Sequence, residues 1–131
     1  MSDSPPERKI LLVEDSEDDV FFFRRSLKRT GISCDFTHVS NGGAATAYLQ
    51  EHQDAFHLVF LDLKIPVLNG FEVLKWIQAQ PFKDKLEIVI LSGSDDPRDV
   101  SSARELGISD YLVKPVSVED LTRKLKSWLD K

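Results

Sequence analysis

Three carboxylates stand where they could do chemistry together. Glu14 and Asp15 directly follow the apolar run Ile10-Leu11-Leu12-Val13, and Asp62 directly follows Leu58-Val59-Phe60-Leu61. If those runs are neighbouring strands, all three acids share one rim. Acids so close repel, and each tends to hold its proton unless a cation compensates. Mg²⁺ answers that need, because it takes hard oxygen ligands, keeps several waters and bridges to phosphate oxygens. Two more apolar runs, Ile88-Val89-Ile90-Leu91 and Tyr111-Leu112-Val113, end at Ser92 and Lys114. A hydroxyl and an ammonium on the same rim can hold the oxygens of a phosphoryl group during and after its transfer. Asp62 is then the nucleophile, and the product is an acyl phosphate.

That convergence requires a particular frame. The four runs are continuous and not alternating, which suits strands covered on both faces. Between them lie apolar stripes with helical spacing: Val20, Phe23 and Leu27; Ala44, Ala47 and Tyr48; Phe71, Leu74 and Ile77; Val100, Ala103 and Leu106; Leu121, Leu125 and Trp128. A fifth strand, Cys34 to Val39, alternates polar with apolar and reads as a sheet edge. Strand and helix in strict alternation imply right-handed βαβ units and an α/β, doubly wound parallel sheet. Five strands in the order 2-1-3-4-5 with five helices follow, the flavodoxin-like arrangement. The chain reverses its winding between strands 1 and 3, so a ligand crevice opens at their carboxyl ends.

Composition limits the alternatives. A chain of 131 residues with 41% hydrophobic residues fits one domain, and a net charge of −5 argues against nucleic acid, which needs clustered Lys and Arg. The single Cys34 forms no internal disulfide, and no apolar stretch is long enough for a signal peptide or membrane span, so a cytoplasmic protein is expected. Residues 1–8 read as a flexible tail before a domain over residues 9–131.

The motifs, taken together, resemble the receiver domain of two-component response regulators. They are Leu12-Val13-Glu14-Asp15, Asp62-Leu63-Lys64-Ile65-Pro66-Val67-Leu68-Asn69-Gly70, Leu91-Ser92-Gly93 and Tyr111-Leu112-Val113-Lys114-Pro115, in order and properly spaced. The resemblance implies a free-standing regulator phosphorylated on Asp62 by a histidine kinase or phosphotransfer protein. It implies Mg²⁺ held by Glu14, Asp15, Asp62 and the backbone carbonyl of Lys64. Ser92 and Tyr111 look like the switch pair, the Lys114-Pro115 bond like the family's cis peptide, and the fourth helix, fifth strand and fifth helix like the surface that signals to a partner protein. Lys64 and Ser94 match the two variable positions that influence phosphoryl lifetime. Two residues depart from the family pattern: Glu14 replaces a more usual Asp, and Gly93 a common Ala. The Glu14-Asp15-Ser16 start also looks somewhat like regulators paired with phytochrome-type kinases.

Other residues have plainer readings. Ser16 suits an N-cap, with Glu17, Asp18 and Asp19 favouring the positive end of the first helix. The three histidines lack ligand spacing, and Trp76 and Trp128 read as packing residues. Phe22 stands opposite the buried stripe with Arg25 and Arg29, a candidate contact for a kinase or a second copy, with packing against the N-terminal tail as the equal alternative. Two rival functions share the fold. A flavin or nucleotide binder needs Gly, Ser or Thr after the first strand, where this chain is acidic. An interaction module independent of phosphorylation has no need of Asp15, Asp62, Ser92 and Lys114 together. A metabolic enzyme is not expected; self-dephosphorylation merely resets a switch.

Overall fold

A computed structural model describes residues 7–93 and 96–131. Most of the expected tail, and Ser94, lie outside the described residues. Among those described, five strands alternate with five α-helices: β1 (Arg8–Val13), α1 (Glu17–Arg29), β2 (Asp35–Val39), α2 (Gly42–Glu51), β3 (Phe56–Asp62), α3 (Gly70–Gln78), β4 (Leu86–Ser92), α4 (Pro97–Glu105), β5 (Asp110–Val113) and α5 (Val118–Leu129). A single 3₁₀ turn, Lys83–Lys85, leads into β4. Every strand pairing is parallel, and the order is β2-β1-β3-β4-β5, as the apolar runs predict.

The unbroken apolar runs are explained by two cores. Successive residues of a strand point to opposite faces, so Ile10, Leu12, Leu58 and Phe60 pack beneath Phe23 and Leu27 of α1 and Leu121, Leu125 and Trp128 of α5. Their neighbours Leu11, Val13, Val59 and Leu61 pack with Ala45 and Leu49 of α2, Val73, Leu74 and Ile77 of α3, and Ala103 of α4. Full burial of one such Leu or Ile stabilises by about 1.5–3 kcal/mol. The central strands are therefore fixed from both sides.

Helix starts are specified locally. Ser16 caps α1, Asn41 caps α2 and Ser117 caps α5, each accepting a hydrogen bond from a backbone N–H three residues on. Asn69 and Glu72 form a reciprocal capping box at α3. Caps of this kind contribute about 1 kcal/mol each.

Two expectations are corrected. The inward face of α2 carries Ala45 and Leu49, while Ala47 is exposed and Ala44 and Tyr48 are only half-buried. The physical reason lies in the glycines: α2 pushes Gly42 against the β3–α3 loop, and that contact sets the helix rotation one residue from the expected stripe. Arg8, expected in the tail, is the first residue of β1, and its guanidinium hydrogen-bonds to the backbone oxygen of Trp128 at 3.0 Å.

The loop after Asp62 is braced at both ends. The Gly42 N–H donates to Pro66 O at 3.2 Å and the Gly70 N–H to Leu63 O at 3.0 Å. A Cβ on Gly42 would meet Leu68 O at 2.0 Å, and one on Gly70 would meet Leu63 Cα at 2.6 Å. Between these contacts Val67 adopts φ 71°, a left-handed conformation unfavourable for a β-branched residue.

At an open helical position, glycine to alanine stabilises by up to about 1 kcal/mol. Gly42→Ala should reverse that sign and destabilise by about 1–3 kcal/mol, because backbone must move to admit the methyl group. A lowered urea midpoint with an unchanged m-value would verify this; a raised midpoint would mean that the loop yields freely.

Candidate functional site

The sheet order sets the carboxyl ends of β1, β3, β4 and β5 along one rim. Glu14 follows β1 and is only 2% exposed. Its backbone is fixed by the sheet edge: the Glu14 N–H donates to Val39 O at 3.1 Å, and His38 Nε2 hydrogen-bonds to the Glu14 carbonyl at 2.7 Å. Asp62 is the last residue of β3, buried to 7% exposure, and its Oδ1 accepts the Lys64 N–H at 2.9 Å. Ser92 ends β4 and is buried. Its carbonyl accepts the Lys114 N–H at 2.7 Å, which carries the chain beyond β5 back over the rim.

Lys114 gathers the acids. Its Nζ lies 2.8 Å from Asp62 Oδ2, 2.5 Å from Glu14 Oε1 and 2.9 Å from Asp19 Oδ2. An ammonium has three N–H donors, and three carboxylates from three segments of the chain take them. Asp15 completes the cluster from the exposed side: one carboxylate oxygen each from Glu14, Asp15 and Asp62 lie within 4.8 Å of one another. The donors are all hard oxygens and one side faces solvent. That set fits an oxygen-seeking divalent cation that retains water.

The electrostatics follow from burial and from these partners. Burial raises the Glu14 carboxyl to about 7, and nearby Asp62 adds to the rise, while hydrogen bonds from Lys114 and the Ser16 N–H oppose it. Burial alone would lower Lys114; its hydrogen bonds to Asp62, Glu14 and Asp19 outweigh that effect and hold it above the ordinary lysine range. The cation is therefore permanent, whereas Glu14 exchanges its proton near neutrality.

Of the remaining residues singled out from sequence, Tyr111 is half-buried in β5, in register with Ile90, and packs against the core beneath α2, α3 and α4. The Lys114–Pro115 peptide is cis. The Lys64 side chain points away into solvent, and its amide is spent on Asp62. Phe22 is 44% exposed, with the Arg25 guanidinium 5.4 Å from its ring centre. It lines a cavity of about 400 Å³ together with Phe23, Gly93, Lys114, Pro115 and Val116, so it borders the acidic site.

Asp19 is the partner that sequence reasoning missed. It was read as a charge favouring the helix terminus. The available signal was positional: Asp19 sits three residues after the Ser16 cap, in the first turn, which faces the end of the strand that precedes it.

Comparison with known proteins agrees with this geometry. The response regulator receiver domain model matches residues 10–126. The response regulator Rcp1 of Synechocystis is 34% identical over 140 aligned residues, spanning 99% of this chain and 95% of that protein. The solved Mn²⁺-bound form of response regulator Rcp1 superposes with a TM-score of 0.73 at 33% identity, covering 91% of this chain and 89% of the other. The phosphorylated cyanobacterial phytochrome response regulator RcpA superposes with a TM-score of 0.75 at 29% identity, covering 93% and 91%.

The raised Glu14 carboxyl has a stability signature. Its folded-state value of about 7 exceeds the unfolded 4.5, so the folded protein binds the extra proton. Stability from this group is complete below about pH 4.5 and declines as pH rises through 7. In chelator, wild-type protein should lose about 1–3 kcal/mol relative to Glu14→Gln between pH 4.5 and 8. Urea midpoints for the two proteins across that range test the sign; parallel curves would mean that Glu14 stays ionised throughout.

Proposed function

The chain belongs to the response regulator receiver-domain family, and we propose that it acts as a cytoplasmic phosphorylation switch whose phosphoacceptor is Asp62. The observation that carries the reading is the Lys114 ammonium bound at once to Glu14, Asp19 and Asp62. That arrangement stores positive charge beside a buried carboxylate, where incoming phosphoryl charge must accumulate.

A carboxylate oxygen of Asp62 attacks the phosphorus of a phosphohistidine on a histidine kinase or phosphotransfer protein. The P–N bond breaks, the imidazole nitrogen leaves with the electron pair, and an acyl phosphate forms on Asp62. Lys114 exchanges a carboxylate for a phosphoryl oxygen, and the Ser92 hydroxyl donates to a second. Glu14, Asp15, Asp62 and the Lys64 carbonyl would hold Mg²⁺, which would supply neutralising positive charge at this rim. Glu14 must lose its proton to serve as a ligand.

The output is a population shift. The contacts of Ser92 and Lys114 with the phosphoryl group favour one arrangement of the β4–α4 segment, and Tyr111 turns inward into the space behind Ser92. The face formed by α4, β5 and α5 changes with it and acts on a downstream protein. Self-dephosphorylation resets the switch, so the protein is a phosphoacceptor and not a metabolic enzyme. Likeness to the phytochrome response regulator RcpA supports a phytochrome-type kinase as the donor. The alternative, docking without phosphorylation, leaves the four-residue charge cluster unexplained.

With Mg²⁺ and acetyl phosphate, mass spectrometry should find one phosphoryl group per chain, none in Asp62→Asn and none in chelator. Persistent modification of Asp62→Asn would move the acceptor elsewhere and end this assignment. Phe22 is proposed to contact the kinase at the mouth of the site. Phe22→Ala should slow kinase phosphotransfer by about tenfold, equal to about 1.4 kcal/mol of contact energy, and leave the acetyl phosphate reaction unchanged. Equal slowing of both reactions would show that Phe22 supports the site and not the kinase.

A further inference from the structure

Helix α1 is segregated along its length. Glu17, Asp18 and Asp19 form its first turn, Val20 to Phe23 its middle, and Arg24, Arg25, Lys28 and Arg29 its end. Stabilisation of the helix dipole accounts for acids at the start and bases at the end. It does not account for the middle. Val20, Phe23 and Leu27 satisfy the core, yet Phe21 and Phe22 are 60% and 44% exposed, edge to face with ring centres 5.6 Å apart. The Arg25 guanidinium lies 5.8 Å from one ring centre and 5.4 Å from the other. Two adjacent solvent-facing phenylalanines on a helix are an apolar surface that association would bury.

The spacing says what fits it. Asp18, Phe22, Arg25 and Arg29 recur at intervals of four, three and four residues and so form one stripe on the helix surface. Asp18 and Arg25 stand equally far, 3.5 residues or about 5 Å of helix, on either side of the midpoint between Phe21 and Phe22. Two copies of α1 laid antiparallel would bring each Asp18 against the other copy's Arg25 and stack the four phenylalanines between them. The stripe is its own complement, which is the requirement for a two-fold interface. An anionic membrane or nucleic acid would meet Arg25 and Arg29 but be repelled by Asp18 and Glu17. We propose that the exposed face of α1 is a homodimer interface, built by antiparallel pairing of Phe21 and Phe22 and reciprocal Asp18–Arg25 ion pairs. One helix pair buries little surface, so the dimer is weak and forms at high concentration. It would also cover Phe22 at the mouth of the site; that consequence rests on the kinase reading of Phe22, whereas the dimer itself does not.

Sedimentation equilibrium from about 10 micromolar to about 1 millimolar, the range expected of so small an interface, should show wild-type mass rising toward the dimer. Asp18→Arg and Arg25→Asp should each remain monomeric, since each makes the two contacts repulsive. An equimolar mixture of the two variants restores both ion pairs across unlike chains and should form a heterodimer. A mixture that stays monomeric overturns the proposal, as does a wild-type chain monomeric throughout. Loss of kinase phosphotransfer in Arg25→Asp, with wild-type mass monomeric, would assign the face to the kinase alone and overturn the homodimer. Circular dichroism of both variants establishes that α1 remains folded, and acetyl phosphate labelling separates failure of the dimer from failure of the phosphorylation reading.

Discussion

Negative charge crowded at strand ends is costly unless something positive holds it, and in this protein that constraint is met by one lysine. Lys114 draws Glu14 from the end of β1, Asp62 from the end of β3 and Asp19 from the first turn of α1 to a single nitrogen. A buried ion pair is weak evidence of stability, because desolvation offsets much of the attraction. Here it is better understood as a charge arrangement held ready for use. Most of the architecture serves to keep it: Lys114 reaches the acids because β5 lies beside β4, and the acids meet because β1 lies beside β3.

The sheet supplies rigidity where the chemistry requires it. Glu14 and Asp62 project from strands buried on both faces, and their backbones are pinned by neighbours: His38 on the Glu14 carbonyl, the Lys64 amide on the Asp62 carboxylate. Asp15 faces solvent. The cluster thus combines a fixed interior wall with an open side, the geometry expected of a site that admits a hydrated cation and a reactive group carried by another macromolecule.

How much of this was legible in the sequence depended on contrast. The runs ending at Val13, Leu61 and Leu91 have no polar interruption and mark strands directly, while the alternation in Cys34 to Val39 marks the sheet edge from which the strand order follows. The α1 and α5 stripes were equally clear, since Phe23, Leu27, Leu121 and Trp128 stand among charged residues. Helix α2 was misread by one position because Gly42-Gly43-Ala44-Ala45-Thr46-Ala47 offers almost no contrast, and its rotation is decided by the approach of Gly42 to Leu68 O. Asp62, Lys114, Glu14 and Asp15 could be found because strand ends are where a doubly wound fold gathers function. Asp19 was hidden by a second adequate explanation, a negative charge at the positive end of its helix. Phe21 was missed because the buried stripe drew attention to Phe23 and the polar side to Phe22.

Strand β5 has four residues against seven in β3 and β4, and it forms an outer edge of the sheet. An edge so short has few ladder hydrogen bonds, and segments of that kind open more readily than the centre of a sheet. Its amides should therefore exchange with solvent well ahead of those in β1 and β3. The margin that carries Tyr111 and leads to Lys114 is thus the least securely laddered part of the sheet, held chiefly by the packing of Tyr111 and Leu112 against the two cores.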